Sequence, residues 1–441
     1  MAPPKGYSSM QHLFRRITLP VLAAGVLALP ALGAAYADGG AAPTDTPPVG
    51  LLCNGATPTM WATADNQTVT GTDGNDIIAA NGFHGLTLKG GAGNDTICGA
   101  VDPAGTATNT TLDGGAGDDV LISTGGRDRL VGGAGNDRLT GTIHNDVVYG
   151  ADGYQAGAAG ISVNLNNSTV TGALTGTDTL VGLDMARIFG TNGNDTFVGD
   201  DLANWFDGGN GADNIRGGSG NDWFHAVDPA KIVGNAGNDT VTVGFGGNVH
   251  GGRGDDTIAA DPNNTISGAS ADSGTAVTGY TLSGQSGDDT FKVNTLKSGA
   301  TWNTDAALHW KGNIAGGAGM DAIDYRWLGD NAGLHSSMLD GYASWTLGRA
   351  TFASVEKVVG TPGDDRLQGG PDDDTLLGQK GKDVLLGRSG DDKLSSKKGD
   401  DVVRGAKGND SIRTGAGNDQ VFGGRGTDSC KNAEQVKSCE A

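Results

Sequence analysis

Large apolar residues recur every nine positions through much of the chain, with polar or mixed neighbours on either side. In the longest stretch they are Leu367, Leu376, Leu385, Leu394, Val403, Ile412, Val421 and Cys430. A group of three residues with only the middle one apolar predicts a very short strand with one inward side chain. The six residues before each group are rich in Gly, Asp and Asn and predict a turn. The repeat reads G-G-x-G-x-D-x-U-x, where U is the apolar position. Full copies occupy residues 90–98, 114–122, 132–140 and 217–225. Residues 360–431 hold eight copies without interruption, and residues 114–149 and 190–225 hold four each. Isolated copies begin at Gly71, Gly234, Gly251, Gly284 and Gly316.

Gly at positions one, two and four permits tight reversal of the chain. Two units then form an eighteen-residue coil of strand, turn, strand, turn, and coils stack as two parallel sheets over a thin core. Unit n lies beside unit n+2 at a spacing of about 4.8 Å. This places the position-six Asp carboxylates in columns along the edges. Two bare carboxylates at that spacing repel by roughly 3–4 kcal/mol at an effective dielectric near 20. A column of them calls for a divalent counter-ion. Hard oxygen donors favour calcium, since magnesium demands stricter geometry and retains its waters.

Composition sharpens this reading. Of 441 residues, 79 are Gly, and the formal charge is −21. The 51 acids include only three Glu (Glu356, Glu434 and Glu440), which leaves 48 Asp. A helical protein would use Glu, the better helix former. The expected reason for Asp is reach, because Glu adds a methylene and overshoots a tight turn. The acidity argues against nucleic-acid binding, which needs clustered Lys and Arg. Few aromatics and the low apolar content of 36 % exclude one thick core. The strict period argues against disorder, the other reading of such a composition.

Residues 1–37 are expected to be an export signal. Lys5, Arg15 and Arg16 precede an apolar run from Ile17 to Ala35, which ends in Ala35-Tyr36-Ala37. A membrane anchor is the alternative, and Pro20 and Pro30 disfavour it. Removal of that segment takes away three positive charges and moves the charge from −21 to −24. Arg15-Arg16 is a poor match to a twin-arginine signal. No later segment approaches a membrane span. Four Cys in an exported chain read as disulfides. Proximity favours Cys53 with Cys98 and Cys430 with Cys439, while a zinc site lacks the usual spacing. Counting by nine puts Cys430 and Cys439 both at position eight on facing sheets, so a bridge requires the last coil to pinch shut as an end cap.

These motifs resemble the haemolysin-type (RTX) calcium-binding repeat family, of which the chain looks like an exported bacterial member. The resemblance implies an all-β, right-handed parallel β-roll or β-solenoid built from nine-residue repeats, with irregular inserts. It also implies calcium held by position-six Asp side chains and turn carbonyls of units n and n+2. Carried onto this chain, the Asp pairs are Asp365 with Asp383, Asp374 with Asp392, Asp383 with Asp401, Asp392 with Asp410, Asp401 with Asp419 and Asp410 with Asp428. Earlier pairs are Asp119 with Asp137, Asp128 with Asp146 and Asp195 with Asp213. Asp76, Asp95, Asp222, Asp239, Asp256, Asp289 and Asp321 complete the candidate metal ligands. Some turns depart from the pattern. Asn204 stands where an Asp is expected opposite Asp222, His144 replaces the position-four Gly before Asp146, and Asp372 replaces it before Asp374. The spacings of nineteen for Asp76 and Asp95 and seventeen for Asp239 and Asp256 are irregular. A lone Asp in such a turn also serves as an ordinary turn-former.

The expected organisation continues with a linker and N-terminal edge at 38–70, repeat blocks at 71–149, 190–259 and 360–431, an insert at 150–189, an irregular segment at 260–359 and a cap at 432–441. The first insert is expected to continue the sheets with longer coils. The second carries Trp302, Trp310, Trp327 and Trp345, which would either thicken the core or stack on sugars. No His-Glu-x-x-His, Gly-x-Ser-x-Gly or P-loop is present, and the seven His lack metal spacing. Arg326 beside Asp324 and Tyr325 is the nearest imitation of a polysaccharide-modifying site. The expected function is non-catalytic: a secreted protein whose calcium binding is coupled to folding outside the cell. The alternatives are an extracellular adhesion, matrix or glycan-binding protein and a β-solenoid enzyme acting on polysaccharide.

Overall fold

The computed structural model describes residues 46–100, 109–123, 127–142, 145–149, 159–183, 186–244, 246–260, 279–294, 310–328, 333–345, 348–432 and 434–439. The N-terminal signal-like segment, His144 and Trp302 lie outside these residues, as does the Trp310 side chain. Two sheets of 22 and 17 strands make up the described chain, with one short 3₁₀ turn at Leu165–Asn167. The chain is all-β and winds as a parallel β-roll, alternating between the sheets.

The register follows the nine-residue period. In the first sheet Leu367, Leu385, Val403 and Val421 are successive partners. In the second, Leu376, Leu394, Ile412 and Cys430 are. Unit n therefore pairs with unit n+2. The position-eight side chains of both sheets meet in one continuous core, in which all of these but Cys430 are buried. The core thickens in the middle of the molecule, where Phe197, Phe206, Phe224 and Phe291 take this position. Many strands are longer than three residues, as in Thr375–Lys380 and Val384–Ser389. They extend because the first residues of the next turn stay extended enough to pair with the coil below.

The first insert was expected to continue the sheets with longer coils, but two inserts, at 161–181 and 335–353, leave the coil path instead. Each is a reversal of the chain within the first sheet. Ile161–Asn164, Thr169–Gly172 and Gly176–Val181 form an antiparallel meander between the first and second repeat blocks. His335–Ser337, Tyr342–Trp345 and Gly348–Ala353 do the same before the last block. The second sheet passes both junctions without interruption and stays parallel throughout. Among the described residues of the second repeat block and the irregular segment, the second sheet keeps its parallel pairing: Phe224, Val241, Ile258, Phe291 and Ile323 pair in sequence.

Both ends are tied by disulfides, which shield the open sheet edges. Cys53 joins Cys98 with Cα atoms 5.6 Å apart, holding the N-terminal strand Met60–Trp61 over the first coil. Cys430 joins Cys439 with Cα atoms 5.9 Å apart. The last coil does pinch, but not as counting by nine predicts. Val436, not Cys439, pairs with Val421, so the final turn is three residues short. Cys439 lies beyond the last strand, Gln435–Lys437, and reaches back to Cys430 from there.

Candidate metal-binding edges

Within each run of coils the position-six Asp residues after the first use their two carboxylate oxygens differently. Oδ1 accepts the backbone N–H of the position-six residue one coil earlier, at 2.7–3.0 Å. On the first edge this chain of bonds runs through Asp76, Asp95, Asp119, Asp137 and Asp178. It resumes at Asp195 and Asp213, and again from Asp365 through Asp383 and Asp401 to Asp419. On the second edge Asn204, Asp222, Asp239, Asp256, Asp289 and Asp321 are linked. Asp374, Asp392, Asp410 and Asp428 follow.

Oδ2 points into the turn, toward the position-one glycine. A Cβ built on Gly378 would fall 2.3 Å from Asp383 Oδ2, and one on Gly381, whose φ is +108°, would fall 2.3 Å from the Gly363 carbonyl oxygen below. Glycine is required at both places by the close approach of oxygen atoms, and at Gly381 also by the positive φ. Among the described residues, sixteen of these Oδ2 atoms are buried without a hydrogen-bond partner: those of Asp95, Asp119, Asp137, Asp178, Asp213, Asp222, Asp239, Asp256, Asp289, Asp321, Asp383, Asp392, Asp401, Asp410, Asp419 and Asp428. The Tyr149 hydroxyl comes near the Asp178 carboxyl, and Ser396 near that of Asp401.

Burial without a counter-charge disturbs these acids. Desolvation pushes Asp213 up to about 9 and Asp383 to about 8, although backbone N–H donors oppose the shift. The same cause raises Asp119, Asp178, Asp222, Asp256 and Asp392 to about 7. Neighbouring carboxylates add to it, as Asp365 and Asp401 do at Asp383. A buried carboxylate that lacks a partner costs free energy in proportion to its desolvation. The folded edges are therefore built for something positive.

Most of the Asp pairs expected from sequence are brought together. The irregular spacings are absorbed, since Asp76 still bonds Asp95 and Asp239 still bonds Asp256. Asp146 is an exception. Val147, not Val148, pairs with Leu130, so Asn145 takes position six and Asp146 turns outward. There it meets Arg187, with Nη2 2.5 Å from Oδ2. Loss of one residue from the preceding turn shifts the frame, and strand alternation moves Asp146 to the solvent side. It does not join the ladder with Asp128.

Three position-six acids escaped the sequence reading. Asp178 lies in the first meander, and its Oδ1 accepts the Asp137 N–H at 2.9 Å. Glu356 accepts from the Asp321 N–H and Glu434 from the Asp419 N–H, both at 2.9 Å. Glu does not overshoot here, because both turns are short. Phe352 and Val358 pair with Ile314 and Ile323, so six residues do the work of nine. Val436 stands six residues beyond Cys430, against nine from Ile412 to Val421. In both short turns the longer side chain still brings a carboxylate oxygen to the N–H one coil away. The signal was in the sequence as a Glu two residues before an apolar residue with a shortened repeat.

Position five carries a second ladder that runs the other way. Its Asn or Asp side chain accepts the position-five N–H of the following coil. Asn94 N–H bonds Asn75, Asp118 N–H bonds Asn94, and Asn136 N–H bonds Asp118. Asp391, Asn409 and Thr427 repeat the pattern through Asp373, Asp391 and Asn409. These side chains are exposed, and their alternation of Asn with Asp marks them as hydrogen-bond acceptors.

The donor set fits calcium. It offers buried, ionisable, partnerless oxygens beside densely packed turn carbonyls, all hard ligands. Among the described residues no three His, Cys, Asp or Glu side chains converge as a metal cluster. A cation here would thus draw its other ligands from the backbone. The Arg326, Asp324 and Tyr325 group does not assemble as a catalytic site. Arg326 is bound to Asp324, and Tyr325 is buried in the core with its hydroxyl pKa raised by desolvation. Trp345 packs against Tyr325 at 8 % exposure, as a core-thickening residue would, whereas Trp327 is 58 % exposed. The ordered aromatic stripe is elsewhere, on the second sheet, where Trp205 and Trp223 stack with centroids 4.2 Å apart. Their faces are covered by each other and by Arg187, which leaves little platform for a sugar.

The RTX calcium-binding nonapeptide repeat matches residues 61–82, 87–102, 104–139, 122–154, 189–224, 231–249, 359–394 and 397–430. No curated protein matches the chain. Among the described residues no helix is long and apolar enough to cross a membrane. With its sequence repeats, two parallel sheets and carboxylate-lined edges, the chain belongs to the RTX calcium-binding nonapeptide-repeat family.

Proposed function

We propose that this protein is exported and folds outside the cell on binding calcium, through the partnerless position-six acids of its two edges. The observation that carries the reading is the row of buried carboxylate oxygens with no partner. Calcium would supply the missing positive charge, and every ion that binds only the folded state stabilises it by mass action. The chain's own part is to place the acids. Oδ1 is fixed by a backbone N–H, glycine clears the space beside Oδ2, and the coil below presents its carbonyls. In a calcium-poor compartment the same acids oppose folding, which suits passage through a general secretion channel. The signal-like residues 1–37 and the two disulfides support an extracytoplasmic destination. Far-UV circular dichroism with calcium and with a chelator tests the coupling. β-structure that requires calcium is expected, and full β-structure in chelator overturns the reading.

A further inference from the structure

The partnerless oxygens are not spread evenly. They fall into five groups: Asp95 to Asp178, Asp213 alone, Asp222 to Asp321, Asp383 to Asp419, and Asp392 to Asp428. At the start of every group stands one position-six residue that is satisfied within its own turn. Asp76, Asp195 and Asp365 each follow Gly-Thr rather than Gly-Gly. In all three, the Thr N–H donates to Oδ2 at 2.6–2.7 Å. The same Thr donates its hydroxyl to the carboxylate at 2.7–2.9 Å. Gly370 N–H closes on Asp374 Oδ2 at 2.6 Å, and Asp200 N–H on Asn204 Oδ1 at 3.0 Å.

We infer that these starting turns are calcium-independent end stops, in which N–H and hydroxyl groups of the turn itself occupy the carboxylate edge that a cation takes in every later turn. Asp195 and Asp365 sit directly on the two meanders, where Ile161 N–H and Leu334 N–H donate to Oδ1. Asn204 is an independent sign. A neutral side chain with the same shape serves at a starting position, whereas all sixteen partnerless positions carry Asp. One partnerless oxygen lies in each interval between adjacent turns of a group. Among the described residues the calcium count is then sixteen, in five separately bounded groups.

This rests on the calcium-binding reading, and the two fail differently. Calcium stoichiometry of the full chain is measured by flow dialysis, for wild type, Asp383→Asn and Asp365→Asn. About sixteen ions are expected for wild type, at least one fewer for Asp383→Asn, and an unchanged count for Asp365→Asn. Asp195→Asn repeats the test at another stop. Thr361→Val is expected to lower the melting temperature with the count unchanged, and Thr361→Ser to restore it. A count that drops for Asp365→Asn, Asp195→Asn or Thr361→Val as it does for Asp383→Asn overturns the end stops. A wild type that binds no calcium overturns the proposed function itself.

Discussion

A single aspartate such as Asp383 shows why the repeat uses this residue. One oxygen holds the Asp365 N–H, and the other is left buried and unpaired. The consequence for calcium-free protein follows from the pKa direction. Folding raises Asp95 from 3.8 to about 6, Asp383 to about 8 and Asp213 to about 9, desolvation being the first cause in each. A group raised on folding takes up a proton, so stability falls as pH rises through that window and returns as pH falls toward 3.8. Calcium-free protein is therefore expected to gain β-structure on acidification from pH 8 to pH 5, followed by circular dichroism. A loss of structure over that range contradicts the assignment. The choice of Asp and its position were legible in the sequence. Asp146 was not, since a one-residue slip inside a turn becomes visible only when Val147 enters the core.

At the scale of the element, turn length and acid length are matched. Nine-residue repeats carry Asp, and the two turns shortened by three residues carry Glu356 and Glu434. Glu356→Asp should leave the Asp321 N–H without its acceptor and cost about 1–3 kcal/mol. Glu356→Gln, which keeps the length, should cost less. Denaturant unfolding in saturating calcium measures both, and an Asp variant as stable as wild type refutes the match. The end closure follows the same logic. Equal steps of nine put Cys439 in the core, but the short last turn puts Val436 in that register instead, at 48 % exposure. The meanders were legible only as breaks in the period. Their antiparallel pairing depends on which strands lie alongside, and local pattern does not state that.

At the scale of the whole molecule, the charge belongs to the empty chain. Sixteen calcium ions carry 32 positive charges against −24 for the chain without residues 1–37, which would leave the exported, loaded protein at +8. Native electrophoresis at pH 7 is expected to reverse direction on calcium loading. Continued migration as an anion at saturation refutes the count. The sequence by itself determined the all-β class, the coil of two units, the thin core and the acidic edges. It could do so because a repeat pairs with its own copy, which makes local spacing and spatial spacing the same quantity. The tertiary structure alone decided where that equivalence breaks. It revealed the one-residue slip at Asp146, the Glu turns, the reversals in one sheet, and the stops at Thr72, Thr191 and Thr361. Each of these depends on what lies one coil away, and in an interrupted repeat that neighbour is no longer a fixed number of residues along the chain.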